Sequence, residues 1–108
     1  MIYLANAFSV GMLPNGFEPV HVTVERIGAY TAGEILRENP FVSVFGHRWT
    51  TWHLSRYLHI DVEPSRDSIQ LTPEDVLIVA KPVMDREYRL SPGAPKWRFY
   101  RVKIREKS

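Results

Sequence analysis

The stretch Ser43-Val44-Phe45-Gly46-His47-Arg48-Trp49-Thr50 holds the residue types best suited to chemistry in this chain. Gly46 breaks a helical run of apolar residues, and His47 then stands at the start of the next one. A helix start carries free backbone N–H groups and the positive end of the helix dipole, so it receives anions well. A phosphate there would rest on those amides and on a hydroxyl such as that of Thr50, with His47 beside it. Imidazole is the side chain best suited to hand a proton to a leaving oxygen near neutral pH. An ordinary surface histidine after a helix break would leave the same signature, so residue chemistry alone keeps both readings open. A second polar group, Asn6 to Ser9, follows the apolar run Ile2-Tyr3-Leu4-Ala5. Polar residues directly after a strand lie at a sheet rim, where ligands commonly bind. Ser9 can equally be a plain helix cap.

Several other chemistries are excluded or, as for a Ser-His-Asp site, left open without a supporting motif. There is no cysteine, hence no disulfide, no thiolate nucleophile and no cysteine zinc site. Neither of the glycine-rich phosphate-binding motifs occurs, nor a zinc-protease helix motif or a serine nucleophile elbow. His21, His47, His53 and His59 are never four apart, and no acidic pair accompanies them at ligand spacing. No metal and no cofactor are expected.

These residues need elements to position them. The 108 residues bound the chain to one domain, 1–108, with a single core. Ile2 to Ala5 reads as a buried strand, and Ser9 as the cap of a helical turn that Pro14-Asn15-Gly16 stops. Val20 to Ile27 alternates, with Val20, Val22 and Val24 on one side, as a half-buried strand does. Thr31 to Glu34 has capping-box spacing and predicts a helix over 31–38. Asn39-Pro40 is read as opening a helical piece through Phe45. From His47 the apolar residues Trp49, Trp52, Leu54, Tyr57 and Leu58 predict a helix to about residue 59 that packs on two sides. Pro64 to Asp67 is a connection, Ile69 to Leu71 a short strand, Val76 to Ala80 a central strand and Pro82 to Pro95 mostly loop. Trp97 to Ile104 is the last strand. The fold class is mixed α/β, a single mixed sheet of about five strands with flanking helices.

Charge is unevenly spread. Residues 1–80 hold five Lys/Arg against nine Asp/Glu, whereas 81–108 hold nine against three. A basic final quarter can face an anionic ligand, or it can be a strand edge kept positive against aggregation. The start of the chain reads as a strand rather than a signal peptide, and no run is long enough to span a membrane. A cytoplasmic location is the expectation.

Three segments taken together carry a family resemblance: MIYLANAFSVGML, FVSVFGHRWT and DVEPSRDSIQLTPEDVLIVA. They resemble, in the same order over roughly residues 1–81, the viral and prophage type III anti-CRISPR ring nucleases. Members of that family begin with a strand reading YLANAFS, carry a helix break reading SxxGHxxT and continue through a proline–arginine turn into two strands. The resemblance implies a homodimer with an α/β fold that binds cyclic tetra-adenylate across its two-fold axis. The ligand is cut without metal into linear di-adenylates ending in 2′,3′-cyclic phosphate. It implies that His47 is the catalytic histidine, with Asn6, Ser9, Gly46, Thr50 and Arg66 contacting the substrate. After residue 81 the family loop reads RLxEG, and here Lys81 and Arg86 are the candidate cations and Glu87 the candidate catalytic carboxylate. Arg89-Leu90-Ser91-Pro92-Gly93 is a competing alignment. No membrane and no long nucleic acid are expected as partners. The other reading is a non-catalytic nucleic-acid-binding viral protein that uses the basic C-terminal strand.

Overall fold

The computed structural model describes residues 1–83 and 96–106. Its strands are β1 (Ile2–Ala5), β2 (Val20–Ile27), β3 (Phe41–Ser43), β4 (Val76–Pro82) and β5 (Trp97–Glu106), and its helices α1 (Ala29–Glu38) and α2 (Arg48–Leu58). A single 3₁₀ turn covers Val10–Met12. The five strands form one sheet in the order β2-β5-β4-β1-β3. β1 pairs parallel with both β3 and β4, while β5 pairs antiparallel with β4 and β2. The mixed α/β class read from the sequence is the observed one.

Alternation along the strands divides the core in two. On one face Leu4, Ile78, Ala80 and Phe99 meet Ala32 and Leu36 of α1, Leu54 and Leu58 of α2, and Phe45. On the other, Val24, Val102, Leu77, Tyr3 and Val42 form one row across all five strands. The 3₁₀ turn and the segment around Leu71 cover the middle of that row through Met12, Leu13, Ile69 and Leu71. Its ends are left open: Val24 is 57% and Val42 40% exposed.

Several expectations are corrected. Residues 39–45 are not helical: Phe41–Ser43 is strand β3, in register with Ile2, Tyr3 and Leu4. Pro40 lacks an N–H and suits the entry to an edge strand, and the Asn39 amide donates back to Ile35 O at 2.8 Å, closing α1. Ile69 to Leu71 is not a strand. Leu71 is a buried plug whose N–H donates to Met12 O at 2.7 Å. Helix α1 starts at Ala29 with Gly28 as N-cap, so the Thr31 capping box is not used. Ser9 is the N-cap of the 3₁₀ turn, but its side chain makes no capping bond. Helix α2 buries only the Thr51, Leu54, Leu58 side, leaving Trp49, Trp52 and Tyr57 exposed. Finally, β5 is an inner strand and β2 the edge. The positive charge of β5 therefore does not serve to guard an edge.

The Arg37 guanidinium crosses from α1 and donates to Leu58 O at 2.9 Å, meeting a carbonyl that the end of α2 leaves open. It lies flat over Gly33, where a Cβ would stand 2.9 Å from its Nη1. The glycine thus leaves room for the guanidinium to fold back along its own helix and reach Leu58 O.

Candidate functional site

The chain leaves β1 and β3 at the same edge of the sheet, because the two strands run parallel. It departs toward opposite faces. After β1 it enters the 3₁₀ turn, which packs on the Leu77 and Val79 face. After β3 it enters α2, which packs on the Leu4 and Ile78 face. Such a divergence beyond the carboxyl ends of parallel strands opens a crevice, the usual ligand position in sheets of this kind. Asn6 and Ser9 follow β1, Gly46 and His47 follow β3, and Lys81 is near the end of β4. One edge thus collects residues from three strand ends.

His47 is the N-cap of α2, with extended backbone (φ −121°, ψ 124°) and no side-chain capping bond. Its imidazole is exposed and free of the helix start. Its carbonyl accepts the first helical bond, from Thr51 N–H at 3.1 Å. The amides of Arg48, Trp49 and Thr50 precede that bond and have no partner within the helix. The Thr50 hydroxyl donates to His47 O at 2.8 Å, so what it offers a ligand is an acceptor lone pair and not its proton. No acidic residue occupies the first turn of α2, which leaves the positive dipole end uncompensated.

Arg66 comes to this place through the backbone. Ser65 N–H donates to Phe45 O at 2.6 Å, and Val44 N–H donates to Leu4 O at 2.8 Å. The Arg66 stem then lies against Gly46, where a Cβ would be 3.9 Å from its Cγ. Ser9 opens on a cavity of about 230 Å³ with Val44, Asp67, Ser68 and Ile69. Asp67 and Ser68 were not legible as site residues, since nothing in their local sequence places them beside Ser9.

Lys81 stands on the other side of β1, exposed, in a cavity of about 220 Å³ with Phe8, Val24, Val79, Tyr100 and Val102. Register adds cations that motif reading missed. Arg98 is directly opposite Lys81 on β5, and Arg26 is opposite Tyr100 on β2. Among the described residues none of the three has an ion-pair partner. Arg86 and Glu87, like the competing Arg89, lie outside the described residues. Among the described residues no three histidine or carboxylate side chains converge, and no helix is long and apolar enough to cross a membrane.

Comparison with known proteins follows the same outline. The family model described as STIV B116-like matches residues 2–88. No curated protein sequence matches. Among solved structures, B116 of Sulfolobus turreted icosahedral virus superposes with a TM-score of 0.75, at 18% identity, covering 94% of this chain and 97% of that one. At that identity the likeness is one of fold.

Proposed function

The chain belongs to the STIV B116-like family, a viral family, and from that premise we propose that it is a metal-independent ring nuclease acting on cyclic tetra-adenylate to antagonise type III CRISPR signalling. The observation that carries this reading is that Asn6 and Ser9 follow β1, the Gly46-His47 start of α2 follows β3 at the same end of the sheet, and the Arg66 stem lies against Gly46. Unpartnered amides and an arginine receive a phosphodiester, and an exposed imidazole stands beside them.

The chemistry needs little more than that. A ribose 2′-oxygen attacks its own 3′-phosphorus, forming the 2′,3′-cyclic phosphate, and the bond from phosphorus to the 5′-oxygen of the next nucleotide breaks. The departing oxygen takes a proton from His47. The 2′-hydroxyl proton passes to a base, for which the family resemblance offers the Glu87 carboxylate. Holding the attacking and leaving oxygens in line is a positioning task, and proton donation adds about two to four orders of magnitude in rate. A macrocycle of four identical nucleotides can adopt two-fold symmetry, which suits two copies related by a two-fold axis. The open ends of the second sheet face, with Val24 exposed beside Lys81 and Val22 exposed further along β2, offer apolar surface for that contact.

The binding-module reading finds less support. Arg101 is held by Glu25, with Nε to Oε1 at 2.9 Å. Lys103 and Arg105 alternate with Val102 and Ile104 and so point away from the Lys81 face. The test is incubation of the protein with cyclic tetra- and hexa-adenylate in chelator, with products resolved by chromatography. Conversion of the tetramer ring to linear di-adenylate is the expected result. A ring that stays intact, or is cut only when metal is restored, refutes the reading.

A further inference from the structure

Helix α2 turns toward solvent a face that the cleavage chemistry leaves unused. Trp49, Trp52, His53 and Arg56 recur at the three- and four-residue spacing of one helix side. Trp49 and Trp52 are 50% and 53% exposed, yet they are held in place. His53 sits edge-on to both, with ring centres 4.3 and 4.8 Å apart, and the Arg56 guanidinium lies 4.8 Å from the Trp52 ring centre. Beside this ridge runs an open groove of about 650 Å³. Arg48, Trp52 and Arg56 line one side of it, Asp61 and Glu63 the other. The second wall exists because His59 takes the left-handed conformation (φ 56°, ψ 44°) and reverses the chain along the helix. The Val62 N–H then donates to Ser55 Oγ at 3.0 Å and pins the wall.

Among the described residues the cations and carboxylates of the groove stand on separate walls and are not paired with one another. Helix α2 contains no Asp or Glu, and among the described residues no ion pair joins Arg48 or Arg56 to Asp61 or Glu63. Cations on one wall, carboxylates on the other and a flat indole between them fit a ligand that has an anion, an amine edge and a π face together. A nucleotide has all three. Its phosphate suits arginine, the exocyclic amine of adenine or cytosine suits a carboxylate acceptor, and its base stacks on an exposed aromatic ring. A simple anion would be repelled by the acidic wall, and an apolar segment would leave both charged walls unanswered.

We propose that this α2 groove binds single-stranded nucleotides carrying an exocyclic amine, with the base on Trp52, the phosphate between Arg48 and Arg56, and the amine on Asp61 or Glu63. The proposed cleavage site uses the backbone amide of Arg48 but none of the side chains invoked here, so the two readings can fail separately. The test follows the Trp52 indole N–H by nuclear magnetic resonance, assigned with Trp52→Leu, during titration with 5′-AMP, 5′-UMP and ribose 5-phosphate. The expected result is a saturable shift with 5′-AMP and weaker binding of the other two. Trp52→Leu, whose fold is checked by circular dichroism, weakens 5′-AMP about five- to 150-fold, the range for loss of one stacked base. Asp61→Ala with Glu63→Ala removes both acceptors and with them the preference for 5′-AMP over 5′-UMP. The proposal is overturned if 5′-AMP binds no better than ribose 5-phosphate, or if Trp52→Leu binds it as the parent does. A Trp52 indole shielded from a soluble paramagnetic agent also overturns it, because another surface then fills the groove.

Discussion

Replacing His47 by alanine separates the chemistry from the scaffold. The imidazole makes no capping bond, and what the position gives α2 is its carbonyl, which accepts from Thr51 N–H at 3.1 Å and from the Thr50 hydroxyl at 2.8 Å. Alanine keeps that carbonyl. The side chain is exposed, so stability should move by no more than about 0.5 kcal/mol. The amides at the start of α2 and Arg66 also remain, so ring binding should stay near that of the parent. Loss of the proton donor, in contrast, should slow single-turnover cleavage by about 100- to 10,000-fold, or about 2.7 to 5.5 kcal/mol on the barrier. The assay is quenched single-turnover cleavage of cyclic tetra-adenylate with enzyme in excess, beside a binding measurement and a thermal melt. A ring in which sulfur replaces the leaving 5′-oxygen needs no proton on departure, and the variant should cut it nearly as fast as the parent does. Unchanged cleavage of the natural ring by His47→Ala refutes the reasoning. So does a loss that the sulfur-bridged ring fails to rescue.

Ligand contacts, the proposed dimer and the frame each yield to substitution. Arg66→Gln should weaken ring binding about 10- to 150-fold, the range for a charge-assisted hydrogen bond, with the melting temperature unchanged. Val24→Glu, on the exposed end of the second face, should shift the protein from dimer to monomer in light scattering and lower cleavage with it. A mass unchanged from that of the parent would rule this face out as the proposed two-fold contact. Leu54→Ala, at a fully buried position between helix and sheet, should destabilise by about 2 to 5 kcal/mol in denaturant unfolding. Arg37→Met keeps an unbranched apolar stem and removes the guanidinium that covers Gly33 and donates to Leu58 O, for an expected loss of about 0.5 to 1.5 kcal/mol.

Patterns that repeat within a few residues were legible in the chain itself. The Val20 to Ile27 alternation is β2 with the same ends, the apolar run from Val76 begins β4, and Trp97 onward is β5. Gly46 and His47 do mark the start of α2, because a helix break and its cap are local events. Partnership was not legible. Phe41–Ser43 has helical apolar spacing, yet it becomes a strand because β1 offers a free parallel edge and backbone pairing outweighs local preference. The exposure of Trp52 could not be read from its hydrophobicity, since burial depends on what lies opposite. Nor could the neighbours of Ser9 and Lys81, for Asp67 and Arg98 arrive from distant stretches by loop path and strand register. The sequence alone determined which short segments extend, coil or break, since those choices follow from backbone sterics and side-chain periodicity. Only the tertiary structure decided which segments meet, which sheet face stays open and which charges stand together, because those outcomes depend on pairing between residues far apart in the chain.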